Sequence, residues 1–297
     1  MRVFVTGATG FVGSAIVAEL VQAGHQVLGL SRSEAGAERL AAAGATPHRG
    51  DLADLDSLRR GVALADGVIH CAFDHDFSKF VANCEQDRRV IAALGSALAG
   101  SGRPLVITSG TGMGSPALGQ LATEDVFNPQ HENPRVASEL EGVVQLEAGV
   151  NLSVLRLPQV HDTVKQGLLT YAVALAREKG VSAYLGEGLN RWAAAHVRDV
   201  ARVFRLALER AAPGARYHAV AEEGIAMRDI AQAIADRLNV PVIGLSAQEA
   251  PAHFGWLAMF AGVDMSASSV WTRQVLNWAP TGPGLLADLA AMDEGSV

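Results

Sequence analysis

Over the first 160 residues, short runs of β-branched and apolar residues alternate with longer stretches of helical spacing. The runs at Val3–Thr6, Gln26–Leu30, Thr46–Arg49, Gly67–Ala72, Pro104–Ser109 and Leu152–Leu157 read as strands. Their near-continuous apolar character is that of strands buried on both faces of a parallel sheet. Between them apolar residues recur at helical intervals, most clearly over Phe11–Ala23 and Cys84–Ala99. This winding predicts an α/β fold with a doubly wound parallel sheet. Beyond Pro158 the alternation weakens, and Ala226–Ala291 reads as mostly helical, with aromatic residues at Phe254, Trp256, Phe260, Trp271 and Trp278. The expected organisation is a sheet domain over residues 1–160 and a smaller, mostly helical lobe over 161–297, with segments around 190–220 returning to the core.

The segment joining the first strand to the first helix reads Thr6-Gly7-Ala8-Thr9-Gly10-Phe11-Val12-Gly13. Its three glycines suit a tight turn, a close backbone approach to a pyrophosphate, and close packing of helix on strand, with the helix N-terminus facing the anion. In that setting the pattern predicts a Rossmann dinucleotide-binding unit, with Thr6, Gly7, Thr9, Gly10, Phe11, Val12 and Gly13 at the cofactor. After the second strand stand Ser31 and Arg32, where an acidic residue would favour a free ribose 2′-hydroxyl. A hydroxyl followed by a fixed cation suits a 2′-phosphate instead, so NADP(H) is the expected cofactor, with NAD(H) as the alternative. Asp51 and Leu52 are placed to border the adenine, although Asp51 equally suits a helix cap. Cys71, Ala72 and Phe73 are placed to pass beside the ribose.

Composition narrows the partners. The chain has 49% hydrophobic and 19% charged residues and a net charge of -7, without the clustered cations that a nucleic-acid backbone requires. The apolar stretch Val3–Val21, broken by glycines, threonines and Glu19, reads as neither signal peptide nor membrane span, so the cytoplasm is the default location. The two cysteines, Cys71 and Cys84, form no CxxC pair and suggest buried thiols rather than a disulfide framework or a metal site.

Taken together, TGATGFVG, Gly50-Asp51-Leu52 and His70-Cys71-Ala72-Phe73 resemble the extended short-chain dehydrogenase/reductases, the NAD(P)-dependent epimerase/dehydratase-like group. Leu155-Arg156-Leu157-Pro158-Gln159-Val160 is similar to that family's segment beside the nicotinamide, which implies Pro158 and Val160 as cofactor contacts. Ala195-His196-Val197-Arg198-Asp199-Val200-Ala201 is similar to its His-Val-x-Asp-Val-Ala stretch. The family's reaction uses a Tyr-x-x-x-Lys pair. In the corresponding window, Arg135 stands at the tyrosine position and Glu139 at the lysine position, and none of Tyr171, Tyr184 and Tyr217 has a lysine four residues later. The resemblance therefore implies an atypical member.

A protonated arginine is a poor acid near neutrality, though it polarises a carbonyl or holds an anion. Glu139 can accept from ribose hydroxyls; an Arg135–Glu139 helix ion pair is an equal reading. The family's catalytic hydroxyl falls near Gly110, so the duty passes to Ser109 or Thr111. His161, expected at the mouth of the site, and His196 are further candidates to donate a proton, whereas His70 reads as buried in the sheet. Phe73, Trp192 and the aromatic tail suggest a pocket for a flat substrate. The resulting expectation is an NADPH-dependent ketoreductase acting on a small aromatic or polyketide-like carbonyl, its proton coming from the substrate, water or a Ser/Thr relay. A catalytically silent NADP(H)-binding sensor, or an epimerase, lyase or oxygenase-type enzyme on the same fold, are the alternatives.

Overall fold

Side chains alternate across a strand, and in the first strand Val3 and Val5 enter one hydrophobic core while Phe4 enters another on the opposite face. The computed structural model describes residues 1–293. Strands β1 (Arg2–Thr6), β2 (Gln26–Ser31), β3 (Thr46–Arg49), β4 (Gly67–His70), β5 (Leu105–Gly110) and β6 (Leu152–Leu157) alternate with helices α1 (Phe11–Gln22), α2 (Glu34–Ala42), α3 (Leu55–Ala63), α4 (Phe80–Leu98) and α5 (Val136–Glu147). There follow β7 (Gln159–His161), α6 (Leu169–Lys179), β8 (Ser182–Leu185), β9 (Arg191–His196), α7 (Val197–Arg210), β10 (Arg216–His218), β11 (Glu222–Ala226), α8 (Met227–Leu238) and β12 (Val242–Leu245). Four short helices close the described chain: α9 (Ala250–Phe254), α10 (Ala258–Ala261), α11 (Val270–Leu276) and α12 (Leu285–Ala290).

The main sheet has seven parallel strands in the order β10-β6-β5-β4-β1-β2-β3. Helices α1 and α7 cover the face holding Val3, Val5, Val106 and Leu155, through Ile16, Leu20, Phe204 and Leu208. The opposite face, with Phe4, Val68, Leu105 and Ile107, is covered by Leu58, Ile91 and Leu94 of α3 and α4. The winding reverses between β1 and β4, and open α/β sheets bind ligands at the carboxyl edge of such a switch point.

The second half carries more strand than its composition predicts. Two small sheets, β11-β9-β7 and β12-β8, lie among the helices. Strand β9 reads Arg-Trp-Ala-Ala-Ala-His, whose alanines favour helix locally; pairing with β11 on one side and β7 on the other decides its state. Leu169, Val173, Trp192, Ile230, Leu285 and Leu289 form a further core there. Trp192, expected near the cleft, is 1% exposed in that core and donates its indole N–H to the Val263 carbonyl at 3.1 Å. No helix among the described residues is long and apolar enough to cross a membrane.

A Cβ at Gly13 would collide with the Gly7 carbonyl, which fixes how closely α1 seats on the glycine loop. Gly13→Val is expected to lose about 1–3 kcal/mol of stability, read as a lowered Tm in thermal unfolding; an unchanged Tm contradicts this packing.

Candidate active site

Gly7 adopts φ +70°, and a Cβ there would lie 2.7 Å from the Ala72 backbone nitrogen, so the end of β1 turns hard against the chain leaving β4. The Gly10 N–H donates to the Gly7 carbonyl at 2.9 Å and closes the turn. Helix α1 then starts with no side-chain cap and no acidic residue in its first turn. Its free N–H groups and positive end therefore face the opening beside Thr9, Gly10, Phe11 and Val12, which fits the diphosphate of a dinucleotide.

At the ribose edge the two expected residues separate. Ser31 is buried and donates its hydroxyl to the Ser33 carbonyl at 2.9 Å, so its place at a 2′-phosphate is corrected: the group is turned inward. Arg32 is 80% exposed, and its Nε lies 3.9 Å from an oxygen of Asp51. Asp51 accepts from the Ala53 N–H at 2.8 Å, while Asp54 caps α3 by accepting from Ser57 at 3.1 Å, so Asp51 is not the cap. Leu52 packs against the core containing Phe4.

Between the glycine loop and α5 runs a buried polar chain. His70 Nδ1 meets the Thr6 hydroxyl at 2.7 Å and Nε2 meets an oxygen of Asp87 at 3.0 Å. The other Asp87 oxygen accepts from Arg135 at 2.5 Å and from the Ser138 hydroxyl at 2.6 Å. Arg135 also donates to the Thr108 carbonyl at 2.9 Å, and its guanidinium lies 4.1 Å from the centre of the Phe73 ring. Burial by itself would raise the Asp87 pKa; Arg135, His70 and Ser138 together outweigh it and hold the carboxyl well below the usual range. An ionised Asp87 accepts the hydrogen of His70 Nε2, and the Nδ1 contact ties the same ring to the Thr6 hydroxyl. Asp87 and Ser138 escaped the reading of the sequence. The available signal was an acidic residue on the same helical stripe as Cys84, Ile91, Leu94 and Leu98.

Beside Phe73 stands an aromatic wall. Phe77 stacks on Trp256 with centroids 4.4 Å apart, and Tyr171 meets Trp256 edge-on at 5.0 Å. His75, Asp76, Phe77, Ser78, Tyr171 and Trp256 border an open cleft of about 280 Å³.

A sequence profile described as NAD dependent epimerase/dehydratase family matches residues 3–220. The chain belongs to the NAD-dependent epimerase/dehydratase family. It is 49% identical over 292 residues to an uncharacterized protein of Schizosaccharomyces pombe, covering 98% of this chain and 99% of that one. To the 2-alkyl-3-oxoalkanoate reductase of Stenotrophomonas maltophilia it is 30% identical over 233 residues, covering 72% and 67%. Its fold is similar to that of the dTDP-glucose 4,6-dehydratase of Streptomyces venezuelae with NAD and TYD bound, with a TM-score of 0.77 at 19% identity over 98% of this chain and 95% of that one.

In this epimerase/dehydratase-family chain the Glu139 expectation is corrected. Glu139 is 1% exposed, and its two oxygens accept from Arg156 Nε and a terminal Arg156 nitrogen, each at 2.8 Å. Arg216 approaches the same carboxylate at 3.4 Å. A carboxylate engaged in this way does not serve ribose hydroxyls, and it forms no pair with Arg135, whose terminal nitrogens are held by Asp87, Ser138 and Thr108. His161 is also corrected. It is fully buried against Asp288 at 2.7 Å and edge-on to His196 at 5.9 Å, beneath α12 instead of at a mouth, because β7 is sealed by pairing with β9. Val160 packs in the core with Val3 and Val5 and not into the cleft, while Pro158 is half-buried at the β6–β7 junction. Ser109 has a buried hydroxyl without a partner among the described residues, and Thr111 opens the turn after β5. Cys71 is half-buried and donates to the Thr6 carbonyl at 3.0 Å, and burial pushes its thiol up to about 12.

Glu139→Ala leaves Arg156 buried without its partner and is expected to destabilise the fold by about 3–5 kcal/mol, measured by denaturant unfolding. A variant with full stability and a raised KM for the cofactor would return Glu139 to the ribose.

Proposed function

We propose that this chain is an NADPH-dependent reductase of small aromatic or otherwise apolar ketones. The observation that carries the reading is the guanidinium of Arg135, fixed by Asp87, Ser138 and the Thr108 carbonyl and lying over Phe73 between the glycine loop and the aromatic cleft. A preorganised cation favours an oxygen that gains negative charge. When bound, the nicotinamide nucleotide supplies hydride. The loop from Gly7 to Gly13 and the α1 terminus hold the diphosphate, and Arg32 reaches the 2′-phosphate. Phe77, Tyr171 and Trp256 orient a flat ring and exclude water from one side of it. Arg135 keeps its proton, so the alcohol proton comes from solvent or from a phenol of the substrate. The Stenotrophomonas relative, named as a reductase of a 3-oxo acid, supports carbonyl reduction.

A second reading, a nucleotide-binding sensor without turnover, is favoured by the locked state of Arg135 and Glu139. Anaerobic NADPH consumption against paired aromatic ketones, with and without an adjacent phenol, separates the two. A reductase consumes NADPH in step with alcohol formed, with a preference for phenol-bearing partners where the substrate supplies the proton; tight NADPH binding without consumption across the panel favours the sensor. Arg32→Ala is expected to cost about ten- to a hundredfold in kcat/KM for NADPH, the equivalent of about 1.5–3 kcal/mol for a charged hydrogen bond, and to leave NADH unaffected. Equal losses with both cofactors would contradict the 2′-phosphate assignment.

A further inference from the structure

We infer that His131 is the hydrogen-bond donor to the substrate's carbonyl oxygen, an inference that rests on the reductase reading and supplies the neutral donor that Arg135 does not. The loop that carries His131 is tied at both ends to the site. The Asn128 N–H donates to the Met113 carbonyl at 3.3 Å, in the turn that follows β5, and the His131 N–H donates to the Asn128 carbonyl at 3.2 Å. On the other side, the Asn133 side-chain oxygen accepts from the Arg135 N–H at 2.9 Å. His131 is thereby held on the loop between the turn containing Thr111 and the backbone at the start of α5.

The ring's tautomer follows from one contact. The Asn133 backbone N–H donates to His131 Nδ1 at 3.0 Å. A backbone N–H cannot accept, so Nδ1 presents a lone pair and Nε2 carries the hydrogen. Nε2 lies 4.0 Å from the point where a Cβ on Gly112 would stand, and Gly112 has no such atom. The ring is half-buried and, among the described residues, Nε2 has no protein partner, so its N–H faces open space beside the turn. Burial lowers the His131 pKa below the ordinary histidine value, while the two charges acting on the ring, Glu132 and Glu139, oppose that shift and do not overcome it. The neutral, Nε2-protonated ring is the form present near neutral pH.

The chemistry balances without a relay through the ring. Hydride from NADPH forms the new C–H bond, the C=O π pair moves onto oxygen, and that oxygen takes a proton from solvent water. The net change is ketone plus NADPH plus H⁺ to alcohol plus NADP⁺. His131 keeps its hydrogen and stabilises the charge on oxygen while it develops.

The test uses two variants and one spectrum. His131→Phe is expected to lower kcat about 10²–10³-fold with the Kd for NADPH unchanged. His131→Gln retains an N–H donor and is expected to recover most of that rate. The parent's activity is expected to be present above the lowered His131 pKa and to fall as pH drops through it, because the second proton at Nδ1 opposes the Asn133 N–H; His131→Gln loses this acid limb. Ring nitrogen NMR of the parent is expected to show the Nε2–H tautomer, with an Nε2 shift when acetophenone is added to the NADP⁺ complex. A His131→Phe variant with parental kcat, or an Nδ1–H tautomer, overturns the assignment. If the parent consumes NADPH with no ketone, the reductase reading itself fails; an Nε2 signal insensitive to acetophenone then overturns the carbonyl contact as well.

Discussion

An almost fully buried carboxylate is the constraint on which the site is built. Asp87 is 3% exposed, and a lone ionised carboxylate at that depth would cost several kcal/mol. Its neighbours therefore have to be cationic or hydrogen-donating: His70 from β4, Arg135 from the start of α5 and Ser138 one turn further along. Satisfying Asp87 fixes the rest. His70 orients Thr6 at the mouth of the glycine loop, and Arg135 is drawn down onto Phe73 and the Thr108 carbonyl. Glycine loop, sheet edge and α5 are thus joined by one continuous set of hydrogen bonds in a region where water does not compete.

The same constraint explains what was legible in the sequence. The strands of the main sheet are short apolar runs, and the glycines at 7, 10 and 13 announce their geometry, since turn, approach and packing each exclude larger residues locally. The partners of Arg135 and Glu139 were not legible. Glu139 lies 17 residues from Arg156 in the chain and Asp87 lies 48 residues from Arg135, and spacing along one helix says nothing about ion pairs formed across elements. The helical spacing of Arg135 and Glu139 suggested a pair, and each instead found a stronger buried partner. His161 misled because its place after a nicotinamide-like segment put it at an opening, whereas the unforeseen strands β7 and β9 close over it. His131 carried no signal in the sequence, since its significance comes from one backbone N–H and from a glycine on a separate turn.

What emerges is a site in which charge is fixed and protons are scarce. Arg135 and Glu139 are both committed to internal pairs, and the thiol of Cys71 is too weak an acid to take part. Such a site suits chemistry in which electrostatic stabilisation of an oxygen counts for more than proton transfer by the protein. Beside it, Phe77, Tyr171 and Trp256 form one wall of an open aromatic cleft.

The most direct measurement follows a label. NADPH deuterated at the transferable position of its nicotinamide is supplied with an aromatic ketone, and the product is examined by mass spectrometry and NMR. Ketone reduction places one deuterium on the carbinol carbon, with a matching loss of NADPH. Conversion of the substrate with no deuterium at that carbon and no net NADPH loss would contradict it and assign the chain to a non-reductive reaction.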